Sequence, residues 1–157
     1  MIRHATIDDV ARLVELGATM HAESPRFRKF AYLPDRVAGH IETLLTMPRG
    51  LVLVADLPGH GVVGGILALA VQHYACAFLQ ASDLAFFVHP DHRGGTAAPR
   101  LLDGYRKWAA SLNAEANVQL NTGVQPERTA QLLAVLGAQQ TGTIWTWGTT
   151  LCASARA

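Results

Sequence analysis

Apolar residues recur along this chain with two periods, and the switches between them lay out the expected fold. Residues 2–5 read as a short strand. Thr6 with Asp9 three residues on reads as a variant capping box, after which Val10, Leu13, Val14 and Gly17 form one face of a helix ending near Met20. Residues 21–33 carry neither period. A second helix follows Pro34, with Val37, Ile41, Leu44 and Leu45 on one face, and Pro48 and Gly50 close it. Residues 51–55 form a buried-type strand, 57–61 a turn, 62–74 a long strand and 81–88 another. Short connections between these three strands make them an antiparallel meander. Beyond Pro99 the helical period returns through Leu101, Leu102, Tyr105, Trp108, Ala109 and Leu112 to about Ser111. Residues 118–122 then read as a strand, parallel to the one ending at Val88 because a helix intervenes. Residues 126–136 form a helix with Pro126 in its first turn and Gly137 just past its end. Residues 143–151 alternate loosely around Ile144, Trp145 and Trp147 and give a last strand.

The order β-α-α-β-β-β-α-β-α-β predicts a single α/β (α+β) domain over residues 1–152, with a mixed, mostly antiparallel sheet flanked by about four helices. Residues 153–157 read as a frayed tail. Composition agrees: of 157 residues half are hydrophobic and 16% charged, which suits one globular domain with a sizeable core. Thirteen basic against twelve acidic residues leave +1, too balanced for a nucleic-acid or polybasic membrane surface. The apolar runs are broken by glycine well short of the ~20 residues of a membrane span. Arg3, Asp8 and Asp9 stand where a signal peptide would be apolar, so the expected compartment is the reducing cytoplasm. Cys76 and Cys152 make neither a disulfide framework nor a zinc set, and read as small buried residues.

The chemistry concentrates in one stretch. The apolar run Leu84-Ala85-Phe86-Phe87-Val88 stops at Pro90, which cannot donate to a strand ladder, and passes through Arg93-Gly94-Gly95-Thr96-Ala97-Ala98 into a helix. Pro99 fits a helix only within its first turn. The amides of Gly94, Gly95, Thr96, Ala97 and Ala98 should therefore point outward at the positive end of the helix dipole, with Arg93 beside them. Strand, tight basic loop and helix make an anion site suited to a phosphate. Two other patterns carry less. Gly59-His60-Gly61-Val62-Val63-Gly64 matches a dinucleotide fingerprint, but strand-like sequence follows it where a helix is needed, so it reads as a hairpin turn. His89 and His92 lack a third ligand at a recognisable spacing, so no metal is expected.

Val88-x-Pro90-x-x-Arg93-Gly94-x-x-x-Ala98-x-x-Leu101-Leu102 resembles the acetyl-CoA signature of the GCN5-related N-acetyltransferase (GNAT) family, in which [RQ]-x-x-G-x-[GA] joins a strand to a helix. Arg93 and Ala98 fill its first and last positions. Thr96 stands where the middle glycine is usual, and its hydroxyl could donate to a phosphate. The Arg-Gly-Gly-Thr-Ala-Ala form resembles a subgroup known as phage-type acetyltransferases. Leu132 to Gly137 is similar to the family's late helix, and the element order matches along nearly the whole chain. The resemblance implies an N-acetyltransferase with acetyl-CoA as co-substrate and the amine of a small molecule or peptide as acceptor. A non-catalytic acyl-CoA-binding sensor or scaffold is the alternative, and a homodimer stays open.

The resemblance also implies that backbone amides near Phe87 and Val88 hold the pantetheine and polarise the acetyl carbonyl. The strand carrying Asn121 and Thr122 would splay to admit that arm, with Asn121 either bonding to it or simply ending the strand. Transfer needs a base and an acid as well. Asp83 is the carboxylate on the strand into the motif and the candidate base; an edge or surface aspartate is the competing reading. Its odd parity relative to Val88 would turn it to the opposite face. His21, Glu23 and His73 are further candidates, with no spacing that favours one. Many members carry a tyrosine one turn before the Leu-Gly pair, and that position is Leu133 here. Tyr32, Tyr74 or water would have to substitute, or the thiolate leaves unassisted. Phe27, Phe30 and Tyr32, interleaved with Arg26, Arg28 and Lys29, could line a substrate mouth or tuck onto the core.

Overall fold

A capping box starts the first helix: the Asp9 carboxylate accepts the Thr6 backbone N–H at 2.8 Å and the Thr6 hydroxyl at 3.3 Å. The same carboxylate takes the Arg3 guanidinium at 2.7 and 2.9 Å, and Arg3 reaches on to Asp56 at 2.9 Å. The Arg3 hydrogen bonds hold the Asp9 carboxyl down at about 2, so the cluster that ties the first strand to the first helix stays charged.

The computed structural model describes residues 1–143 and 145. Its elements are β1 (Ile2–His4), α1 (Val10–Glu23), α2 (Pro34–Thr46), β2 (Gly50–Leu57), β3 (Gly61–Gln72), β4 (Leu79–Val88), α3 (Ala97–Ser111), β5 (Ala114–Asn117) and α4 (Pro126–Val135), with single 3-10 turns at Ile7–Asp9 and Pro90–His92. The sheet runs β1-β2-β3-β4-β5, antiparallel as far as β4 and parallel between β4 and β5. This is the mixed, mostly antiparallel sheet with four helices that the hydrophobic pattern predicts. The expected strand over 143–151 lies outside the described residues except for Thr143 and Trp145, and so do Cys152 and the tail.

Two apolar layers sandwich the sheet. Leu51, Leu53, Val63, Ile66, Ala81 and Val88 pack on one face with Leu101, Leu102, Tyr105 and Ala109 of α3, and Leu132 and Leu133 of α4 rest against that cluster. Val52, Val54, Leu67 and Phe87 pack on the other with Leu13 and Leu16 of α1 and Ile41 and Leu44 of α2. α4 ends in a Schellman motif: Ala138 N–H bonds Leu133 O at 2.9 Å and Gly137 N–H bonds Ala134 O at 3.0 Å, with Gly137 at φ +86°. The glycines at 59 and 61 serve the β2–β3 hairpin turn, with φ of +76° and +66°, and not a dinucleotide loop.

Three expectations change. The strand expected at 118–122 forms earlier, at Ala114–Asn117, pairing Leu79–Ser82 of β4. Its Ala-Glu-Ala-Asn sequence has little strand preference, so pairing with β4 and the left-handed Asn113 (φ +53°) decide its position. Second, the register of β4 against β3 slips, Ala85 facing Leu67 and Asp83 facing Ala68, which leaves Leu84 as a bulge. The bulge cancels the parity argument: Ala81 and Val88, an odd number of residues apart, share one core cluster. Asp83, two residues from Ala81 with no irregularity between, lies on that face too and not on the opposite one. Third, Cys76 is exposed in the β3–β4 connection and is not a buried residue.

Candidate active site

The slipped register matters because it is where β4 and β5 part. Their last paired residues are Ser82 and Asn117. From Asp83 to Val88 the outer edge of β4 has no strand beside it among the described residues, and residues 118–125 form no strand. A cavity of about 370 Å³ opens in the gap, lined on one side by Asp83 to Val88 and on the other by Gln119 to Pro126. The loop of Arg93, Gly94 and Gly95, with Ala98 and Pro99, closes one end, and α4 contributes Arg128, Thr129 and Leu132.

The loop has the geometry of an anion cradle. His92 and Arg93 spend their amides on His89 and Pro90 carbonyls, and Arg100 on Thr96. Between them, the amides of Gly94, Gly95, Thr96, Ala97 and Ala98 have no protein acceptor among the described residues, and Pro99 has no N–H to satisfy. Gly94 holds φ +83°, where a side chain is strained. The Thr96 hydroxyl makes no cap bond to its own helix.

The arginines are arranged differently from the simplest reading of the sequence. Arg93 is occupied: its Nε donates to Val88 O at 2.9 Å, and its two terminal nitrogens clasp Glu23 at 3.2 and 2.5 Å. It is a strut that fixes the end of β4 to the end of α1, and it takes Glu23 out of contention as a free base. A second arginine, which the sequence pattern does not single out, stands over the cradle. Arg128 Nη2 lies 2.8 Å from where a Cβ on Gly94 would be. Among the described residues it has no ion-pair partner. A basic residue in the first turn of a late helix carries no signal of its own; only the tertiary path of residues 118–125 brings it to Gly94.

Asp83 faces the cavity. Its Oδ1 accepts the Gln119 N–H at 2.8 Å, and burial pushes its carboxyl up to about 6, against the lowering pull of that bond. Phe87, Val88, Arg93, Gly94, Gly95, Ala98 and Asn121 line the cavity, whereas Thr96 and Ala97, at the start of α3, are not among its lining residues. Asn121 donates to Gln119 Oε1 at 3.4 Å. Of the three aromatics proposed for a mouth, Phe27 lines the cavity and the other two do not. Phe30 stacks with Lys29 on the surface, and Tyr32 seats its hydroxyl on Val14 O at 2.8 Å. His21 bonds Phe30 O at 2.9 Å, while His73 stacks between Tyr74 and Phe78 on the far hairpin. Tyr105 is core, its hydroxyl 2.8 Å from both Ala81 O and Asn117 O with its one proton shared between them, and burial raises its pKa far above the usual phenol value. Leu133 packs on the core, and the leucine of α4 that lines the cavity is its neighbour Leu132. Neither can donate a proton. Among the described residues no group of three histidine, cysteine or acidic side chains could hold a metal, and no helix is long and apolar enough to cross a membrane.

No family model matches the chain, and no curated protein does. Solved structures do. An integron cassette protein from the Cole Harbour Salt Marsh mobile metagenome is similar with a TM-score of 0.75 at 21% identity, over 95% of this chain and 90% of that one. A ribosomal-protein-alanine N-acetyltransferase from Brucella melitensis gives 0.68 at 21%, over 95% and 99%. An aminoglycoside acetyltransferase from an uncultured soil metagenomic sample, in complex with sisomicin, gives 0.68 at 18%, over 96% of each chain. At these identities the likeness is one of fold: the chain has the fold of the GCN5-related N-acetyltransferases.

Proposed function

We propose that the protein is an acetyl-CoA-dependent N-acetyltransferase. The observation that carries this reading is the parting of β4 from β5 directly beside a helix-start loop with five unpaired amides. One end of the cavity suits a pyrophosphate, and the bare edge of β4 suits an amide-bearing arm, which pairs with a free strand edge as an added strand would. Gly94, Gly95, Thr96, Ala97 and Ala98 hold the phosphates. Phe87 and Val88, with Asn121 across the gap, flank the arm.

Acetyl-CoA supplies an acetyl thioester, and the residues of this chain do the rest. Asp83 takes a proton from the neutral acceptor amine as its nitrogen attacks, directly or through water. A carboxyl at about 6 is charged at neutral pH and still a stronger base than an ordinary aspartate. The amine nitrogen bonds to the acetyl carbon, the C–S bond breaks, and the sulfur leaves as thiolate, which solvent protonates since no tyrosine or other acid on α4 faces it. A thiolate is a good enough leaving group for that.

The test is turnover together with binding. Acetyl-CoA and CoA raise the melting temperature, ATP and NAD do so less, and a panel of amines releases free thiol from acetyl-CoA. Stabilisation by CoA without thiol release from any amine supports the non-catalytic acyl-CoA-binding module, which the absence of a proton-donating tyrosine on α4 favours. No stabilisation by either CoA ligand rejects both readings. At a ligand concentration 100 times Kd the gain is about 2.7 kcal/mol, readily seen for a domain of this size.

A further inference from the structure

Part of the cavity has no use in holding a cofactor. Once Phe87, Val88 and the 93–98 loop are set aside, the remaining lining includes Met20 of α1, Phe27 of the α1–α2 loop, Leu84 at the bulge and Leu120 opposite it. Leu84 is 58% and Leu120 39% exposed, so neither serves the core; both offer apolar surface at the opening. Among the described residues, Asp83 is the sole carboxylate lining this space. Glu23, which pairs with the cavity-lining Arg93, is clasped by both terminal nitrogens of that arginine. The loop that roofs the cleft adds only positive charge. Residues 24–33 hold Arg26, Arg28 and Lys29 and no acid, and Arg26 bonds Asn121 O at 3.4 Å across the opening.

We propose that the acceptor is a small monoamine with an apolar body, not a polycation. This rests on the acetyltransferase reading above and names its substrate class. A polyamine or aminoglycoside brings several ammonium groups, and each one removed from water needs an anionic or polar partner in the site. Among the described residues the cleft provides one carboxylate, and that one receives the proton of the reacting nitrogen. Every further ammonium would meet Arg26 at the opening or the apolar Met20–Phe27–Leu84–Leu120 surface, with only neutral side chains such as Gln119, Asn121 and Thr122 to receive it, and would be repelled or left without an anion. A single amine on an aromatic or aliphatic body places its nitrogen at Asp83 and its body on that apolar surface. The cavity of about 370 Å³ is shared with the cofactor arm, which keeps the acceptor small. The fold neighbour in complex with sisomicin shares the architecture, and its acceptor class does not carry over.

Thiol release from acetyl-CoA is measured with phenethylamine and hexylamine as monoamines and with spermidine and kanamycin as polycations. The expected kcat/KM is at least tenfold higher for the monoamines. Equal or better turnover of spermidine or kanamycin overturns the proposal. The variant Leu84→Asp, on the exposed bulge, adds a second carboxylate at the opening and is expected to narrow that ratio by lowering monoamine turnover and raising that of spermidine; an unchanged ratio counts against the assigned rim. If no amine is turned over, calorimetric titration of the same amines into the CoA complex decides: preferential binding of the monoamines supports the proposal, and binding of none or of the polycations overturns it. Loss of any response to CoA would instead remove the underlying acetyltransferase reading.

Discussion

Asp83 Oδ1 accepts the Gln119 backbone N–H at 2.8 Å, one residue beyond the last rung that β4 shares with β5. A side chain thus stands in for the missing strand bond, and the two strands divide around it. The carboxylate that marks the fork is also, among the described residues, the one acid facing the cavity, so the group that shapes the opening is placed to act in it.

That double position has a pH signature. Burial raises the folded-state pKa of Asp83 from 3.8 to about 6, so the folded protein holds this proton more tightly than the unfolded chain. Its contribution to stability is present below pH 3.8 and is lost as pH rises through about 6. At ~1.4 kcal/mol per pH unit, discounted for the solvent that reaches the group, the loss is on the order of 1–2 kcal/mol. Urea melts at pH 4 and pH 7.5 should show this decrement in the native protein and not in Asp83→Asn. In the same variant the acid limb of kcat/KM near pH 6 should disappear along with most of the activity. A retained limb would assign the base elsewhere.

Arg128 and Gly94 make a second pair whose contact can be tested. Removing the guanidinium in Arg128→Ala takes away a charge-assisted bond to a phosphate, about 1.5 kcal/mol, and should weaken CoA roughly tenfold by calorimetry. The loss should persist with 3′-dephospho-CoA and vanish with acetylpantetheine, which has no pyrophosphate. Gly94→Ala should weaken binding in the same direction, because the added Cβ falls 2.8 Å from Arg128 Nη2 and the backbone sits at φ +83°.

The sequence made some of this architecture visible and concealed the rest for identifiable reasons. Helix α3 and its loop were legible because Pro99, the glycines and the period from Leu101 to Ala109 are all local signals. The start of α1 and the end of α4 were legible for the same reason, through Thr6–Asp9 and Gly137. β5 was not, since Ala-Glu-Ala-Asn becomes a strand only by docking on Leu79–Ser82. The bulge at Leu84 was hidden too, and with it the facing of Asp83, because a slip in register leaves no mark in a run as apolar as Leu84 to Val88. The Arg93–Glu23 pair spans 70 residues and the approach of Arg128 to Gly94 depends on the path of a non-repetitive segment, so neither has a local trace.

Arg93 joins the end of β4 to the end of α1, and its worth is measurable apart from any phosphate. Arg93→Ala leaves a half-buried Glu23 without its partner and frees Val88 O, at a cost of about 1–2 kcal/mol in urea unfolding. Glu23→Gln should cost less, and the double variant should lose less than the two singles together, with a coupling near 1 kcal/mol. CoA affinity should fall in Arg93→Ala because the 93–98 loop loses its anchor. It should fall less in Glu23→Gln, where the bond to Val88 O remains. Equal losses of CoA affinity in the two would place the effect on the ion pair and not on the β4 anchor.

Ser24 holds the roof of the cleft to its far wall. Fully buried at the end of α1, it donates its hydroxyl to Thr122 O at 2.5 Å and accepts the Phe27 N–H at 3.1 Å. Ser24→Ala strands a part-buried carbonyl and a part-buried N–H together, which costs about 1–3 kcal/mol. That corresponds to a fall of several degrees in Tm for a domain of this size. Because the two bonds fix Phe27 and residues 121–124 relative to one another, the variant should raise KM for the acceptor amine more than it lowers kcat, and hydrogen exchange at Phe27 and Val124 should quicken. Ser24→Thr keeps the hydroxyl and should restore part of the KM; a Tm loss with unchanged KM would show that the roof does not hold the acceptor.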